Sequence, residues 1–121
     1  MSDVVVTVPM RLWEEWIAEG DLPGDPPERS PLGRDECWSF VTSGGHPRIS
    51  IGERVYVVAY GRLRGYAPLT GLIVAGHLVE LQRRGGAVAV TLDEPIRGFR
   101  GWRYRWWSLE SERPFPGWRE P

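Results

Sequence analysis

The sequence predicts a mainly β domain (α+β in class) of about six short strands with one helix near its start, and three observations predict it. First, 121 residues is the usual size of a single domain with one core, so residues 1–121 read as one unit. Second, β-branched or alternating apolar runs recur along the chain between Gly and Pro clusters. Third, apolar residues hold helical spacing only once, close to the N-terminus. An apolar share of 41% and a charged share of 26% are ordinary for a globular protein and argue against wholesale disorder.

The elements follow in order. Asp3–Val8 carries Val4, Val5, Val6 and Val8, a run suited to a buried strand. Pro9 fits the first turn of a helix, and Leu12, Trp13, Trp16 and Ile17 then recur on one face, with Gly20 as a C-cap. A helix over about 9–19 is expected. Four prolines make residues 20–36 a long loop. Strands are expected over Cys37–Thr42, Arg54–Tyr60 and Leu63–Val74, with a turn at 43–47 and another at Gly61. In the third of these, Leu63, Gly65, Ala67 and Leu69 should share one face while Arg64 and Tyr66 take the other. His77–Arg84 fits a short helix or a strand equally. Ala87–Leu92 and Phe99–Trp107 both alternate, and in the latter parity assigns Trp102, Tyr104 and Trp106 to the core. The Pro-rich tail reads as irregular chain pinned by Phe115 and Trp118. Such an order suggests a small barrel or strongly curved sheet.

Composition bounds the function. All 15 basic residues are Arg, so no Schiff base, Lys nucleophile or Lys general base is available. Arg for Lys is a general bias in some heat-stable families, and it also suits phosphate, which guanidinium groups grip with two parallel hydrogen bonds. The net charge of −1 hides an uneven distribution. Residues 1–40 hold three Arg against nine acids, whereas 41–121 hold twelve Arg against seven. From Pro95 to Leu109 there are four Arg and no acid. With no signal-like start, no membrane-length apolar run and a lone Cys37, a cytoplasmic protein is expected.

Several of these segments resemble the ASCH domains of the PUA-like superfamily. The likeness is carried by a Pro-started helix ending in Ile17-Ala-Glu-Gly20, the strand Gly52-Glu-Arg-Val-Tyr-Val-Val58, and a return through Arg64-Gly-Tyr-Ala-Pro-Leu69. It implies a PUA-like pseudobarrel with a cleft beside the helix, and a link to RNA and modified nucleosides. The family's loop signature, G-x-K-x-x-E-x-R, is largely gone. Counted from Gly20, Leu22 stands for Lys, Asp25 for Glu and Pro27 for Arg. The amidohydrolase chemistry of some relatives, which uses a Lys, therefore does not carry over.

Candidate residues divide into two groups. The basic-aromatic segments supply Arg62, Arg64, Tyr66, Arg97, Arg100, Arg103, Arg105 and Trp107 as contacts to phosphate and base. The other group, Gly20, Asp21 and Asp25, borders the expected cleft and is the place for a hydrolase acting on a modified nucleoside. Cys37, His46 and His77 lack metal-ligand spacing, and neither a metal nor a cofactor is expected. Carboxylate pairs such as Asp93/Glu94 read as solvated turns. Trp107 and Trp118 are the aromatics least readily placed in a core. The expected function is a non-catalytic module binding RNA or a nucleotide-like ligand. Alternatives are the small hydrolase and a protein-interaction module using exposed Trp.

Overall fold

The computed structural model describes residues 2–8, 36–41, 47–76, 78–83, 88–118 and 120. Within them lie eight strands: β1 (Val4–Thr7), β2 (Glu36–Val41), β3 (Arg54–Ala59), β4 (Arg62–Ala75), β5 (Leu78–Arg83), β6 (Val90–Thr91), β7 (Trp102–Tyr104) and β8 (Arg113–Pro114). The helix expected over 9–19, most of the 20–36 loop and the turn at 43–46 fall outside the described residues.

Six strands form one sheet in the order β2-β5-β4-β3-β1-β7, which curls into a half-barrel, and β6 pairs with β8 in a small ribbon. The long β4 joins the two halves of the sheet. Arg62–Pro68 pairs with β3, and Leu69–Ala75 turns away to pair with β5. The His77–Arg84 ambiguity resolves to a strand, β5. β1 runs parallel to β3 with Val4 opposite Val55, and antiparallel to β7 with Val4 opposite Tyr104. β1 therefore lies inside the sheet, as its valine run requires.

Both faces of this central ladder are buried, and side-chain alternation sorts them. Val4, Val6, Val55, Val57 and Ala59 pack on one side with Leu69, Val79, Leu81 and Trp118. Val5, Tyr56, Val58 and Leu63 pack on the other with Leu92 and Ile96. At roughly 1.5–3 kcal/mol for each large apolar side chain taken from water, these two clusters are the main support of the fold. Trp118, hard to place in a core from sequence, is 6% exposed and belongs to the first of them.

The β3–β4 hairpin closes through Tyr60 and Gly61, whose φ angles are 54° and 71°. Two successive positive φ values are what a two-residue turn of the I′ type demands. Just beyond it, the ladder slips. Val57 pairs with Gly65 and Val58 with Leu63, so Arg64 is an extra, bulged residue. A bulge reverses the in–out alternation on its two sides. Leu63 consequently joins the cluster against which Tyr66 packs, while Leu69 faces the other cluster. The expected common face of Leu63 and Leu69 is corrected by this one residue.

Two further strands are shorter than expected. The Ala87–Leu92 alternation is reduced to a bridge at Val88 and the two residues of β6. Phe99–Trp107 is reduced to β7, because its partner β1 runs out: the last contact is Arg105 N–H donating to the Asp3 carbonyl at 3.0 Å. The chain then bends, and the parity assignment fails with it. Tyr104 and Trp106 are 39% and 52% exposed, while Trp107 turns in against the second cluster. The tail behaves as expected, since Phe115 N–H bonds to Ala89 O at 3.2 Å and Trp118 is buried.

Candidate functional site

The bend after β7 builds a pocket. Trp106 and Trp107 form one wall, Leu92, Asp93 and Glu94 after β6 form another, and Glu110, Ser111 and Arg113 close the third. Its volume is about 430 Å³, within the size range of small-ligand sites. The third wall is a 3-10 turn over Leu109–Ser111 running into β8, so the β6–β8 ribbon holds the second and third walls together.

Trp107 is held from behind by a buried polar network. The Glu112 side chain, 7% exposed, accepts from the Tyr56 hydroxyl at 2.6 Å, the Trp107 indole N–H at 2.9 Å and the Arg54 guanidinium at 3.3 Å. One carboxylate with three charge-assisted bonds fixes a ring more firmly than packing alone. Burial, and then the hydrogen bond to Glu112, raises the Tyr56 phenol pKa well above its usual value. Burial pulls the Arg54 guanidinium downward. The hydrogen bond and charge it shares with Tyr56, with Tyr66 and Glu112 adding to them, more than offset this and leave it raised.

Trp106 belongs to a continuous row of rings. Arg103 lies 4.4 Å over Phe99, Phe99 meets Trp106 at 6.3 Å, and Trp106 meets Trp107 edge-on at 4.9 Å. The row continues through Tyr56 at 5.1 Å and Tyr66 at 5.2 Å to Arg54, 4.1 Å over the last ring. A guanidinium caps each end, and Trp106 in the middle of the row is 52% exposed.

The polar groups of the pocket are unequally committed. Asp93 is paired with Arg113 at 2.7 Å, and Ser111 Oγ lies 3.3 Å from Ser108 Oγ. Glu94 and Glu110 are exposed and have no ion pair or side-chain hydrogen bond among the described residues.

The residues expected from sequence to bind a ligand separate into three groups. Arg97, Arg100 and Arg103 are exposed on the acid-free segment that leads to Trp106. Arg62 is exposed too, but its guanidinium sits 4.8 Å over the Phe115 ring, away from the pocket lining. Tyr66 and Trp107 are partly buried members of the ring row, so Trp107 is a wall rather than an exposed stacking platform.

The other two arginines are corrected. Arg64 is 1% exposed, because the bulge turns it inward. Its Nε donates to Ala59 O at 2.9 Å and its Nη1 to the Glu120 carbonyl, between the rings of Tyr60 and Phe115. Burial and the nearby Arg62 charge lower its pKa. Arg105 is half-buried and paired with Asp3 at 3.1 Å, with a further bond from Nη1 to the Trp107 carbonyl. Neither is placed to hold a ligand.

Gly20, Asp21 and Asp25 lie outside the described residues. Among the described residues, no cluster of His, Cys, Asp and Glu could hold a metal ion, and no helix is long and apolar enough to cross a membrane. Trp106, expected in the core, and Glu94, expected in a solvated turn, line the pocket instead, together with Glu110, for which the sequence carried no expectation. The available signal was the Trp106-Trp107 pair itself, since two adjacent tryptophans cannot share one face of a strand. No protein-family model, curated protein or solved structure matches the chain significantly.

Proposed function

We propose that this protein is a non-catalytic binding module for RNA or a nucleotide-like ligand, built on a PUA-like pseudobarrel. One observation carries the reading. An exposed Trp106 walls a pocket of about 430 Å³ at the end of an acid-free segment whose Arg97, Arg100 and Arg103 are exposed. Trp106 stacks on a base, and the three arginines hold the phosphates that flank it. Stacking of this kind is worth about 1–3 kcal/mol per base, and arginines add charge-assisted contacts without reading sequence. The carboxylates of the pocket repel phosphate, so the backbone runs along the Arg side and only the base enters.

The test is titration of a short single-stranded RNA followed by Trp fluorescence and filter binding across a salt series. Affinity is expected to fall steeply with salt, and replacing Arg97, Arg100 and Arg103 with Gln should flatten the log–log slope by roughly two, at about 0.7 per phosphate contact. Trp106→Ala should weaken binding roughly tenfold at constant salt. Absence of any salt-sensitive association at low ionic strength would overturn the reading.

A further inference from the structure

The geometry points to a one-electron relay in the ring row. An oxidising equivalent that arrives at exposed Trp106 passes through Trp107 and comes to rest on Tyr56 as a neutral tyrosyl radical, with Glu112 taking the phenol proton. The relay is independent of the nucleotide-binding reading above.

Three observations carry it. Trp106, 52% exposed, is within reach of an oxidant in solution, and Trp106, Trp107 and Tyr56 follow one another at centroid distances of 4.9 and 5.1 Å. Rings in edge contact pass an electron without a gap to cross. Tyr56 is fully buried, and its hydroxyl donates to Glu112 Oε2 at 2.6 Å, the short bond of a hydroxyl to a carboxylate. The proton acceptor that tyrosine oxidation requires is therefore already in place. Finally, a guanidinium closes each end of the row. Arg54 lies 4.1 Å over Tyr66 and Arg103 4.4 Å over Phe99, and a cation on a ring face opposes removal of an electron from that ring.

A one-electron oxidant takes an electron from Trp106 and is reduced. The Trp106 radical cation takes an electron from Trp107, and Trp107 takes one from Tyr56. As Tyr56 loses its electron, its O–H bond breaks and the proton passes to Glu112 Oε2, leaving a neutral phenoxyl radical and a neutral carboxylic acid. The Trp107 indole N–H donates to the same oxygen at 2.9 Å, so this carboxylate also steadies the positive charge while it is on that ring. The Arg54 guanidinium, 3.1 Å from the phenol oxygen, makes a tyrosine radical cation costly there and ties loss of the electron to loss of the proton. A thiol or ascorbate in solution returns the electron, and Glu112 returns the proton. Oxidation that would damage the exposed indole is moved to a ring with no solvent exposure.

The experiment is flash photolysis of the whole chain with photogenerated tris(bipyridine)ruthenium(III), following tryptophan and tyrosyl radicals by their separate visible absorption bands. The parent protein should show a tryptophan radical that decays as a tyrosyl radical rises. Tyr56→Phe should lose the tyrosyl signal and keep the tryptophan one, whereas Tyr104→Phe, at the one exposed tyrosine, should retain both. Glu112→Gln should slow tyrosyl formation by roughly a hundredfold or more, the usual contribution of a positioned proton acceptor. Transfer of the parent protein to deuterated water should slow the same step. Trp106→Phe changes an exposed side chain, leaves the fold intact and should lose most of the tyrosyl signal.

A tyrosyl signal that survives Tyr56→Phe, or a full one in Trp106→Phe, overturns the relay. So does a Glu112→Gln protein that is folded by circular dichroism and forms the radical at the parental rate.

Discussion

At the scale of single residues, Glu112 shows how a buried charge can hold a surface in place. Its carboxylate takes hydrogen bonds from Tyr56 and Arg54, both on β3, and from Trp107, five residues before it in the chain. The consequence for Tyr56 is testable. Its folded pKa is raised above the ordinary tyrosine value of about 10, so between the two the folded state holds a proton that the unfolded chain releases. The stability this gives is complete below about pH 10 and is lost as pH rises further. Alkaline titration at 295 nm should show one of the four tyrosines ionising only with unfolding, and Tyr56→Phe should remove that delayed step. A titration with no step delayed to unfolding would contradict the arrangement.

The arginines teach a related lesson at the same scale. Arg64, Arg97, Arg100, Arg103 and Arg105 looked equivalent as sequence, each an arginine of a basic-aromatic segment. The bulge after Val57, within the β3–β4 hairpin, buries Arg64, and Asp3, just before β1, pairs with Arg105 across 102 positions of the chain. Neither shows in the alternation of the segment itself, because each is set by the strand or residue it pairs with. Arg97, Arg100 and Arg103 keep their expected exposure.

At the scale of elements, β4 ties the half-barrel to the ribbon that shapes the pocket. Tyr66 exchanges backbone hydrogen bonds with Val88, of 3.0 and 2.8 Å, and the approach is close because residue 65 is glycine. A Cβ at Gly65 would sit 2.6 Å from Val88 O and 3.3 Å from Ala89 Cα, both of them backbone. Gly65→Ala is therefore expected to cost about 1–3 kcal/mol in urea unfolding. It should also weaken the RNA binding proposed above, since residues 88–94 lead into one wall of the pocket. Gly61→Asn is the control: nothing lies within 4 Å of a Cβ there, and Asn accepts positive φ, so stability should change little. Equal effects at the two glycines would show that the contact with Val88 does not matter.

At the scale of the whole molecule, the C-terminal segment is a structural part of the domain rather than a loose end. Trp118 is buried among residues from β1, β3, β4 and β5, and Arg64 bonds to the Glu120 carbonyl beside the Phe115 ring. Removing Arg64 would leave the buried Ala59 O without this donor, at about 1–3 kcal/mol, and would release the exposed Glu120 carbonyl. Arg64→Ala should lower the urea midpoint and open the tail to proteolysis. Arg97→Ala, on exposed chain, should stay within about 0.5 kcal/mol of the parent protein. Similar losses from the two substitutions would argue against the clamp.

The sequence by itself determined the mainly β class, the strands β1, β2, β3 and β4 to within a residue or two at each end, the turn at Gly61 and the pinned tail. These follow from local chemistry: β-branched runs favour extended chain, and Gly61 accepts positive φ. It also marked the acid-free Arg segment, because charge can be counted without a fold. Only the tertiary structure decided which arginines are available and which tryptophan is exposed. Trp106 and Trp107 are adjacent and chemically identical. The difference between them is set where β7 runs past the start of β1 and by the buried Glu112, five residues further on, which claims one indole and leaves the other exposed.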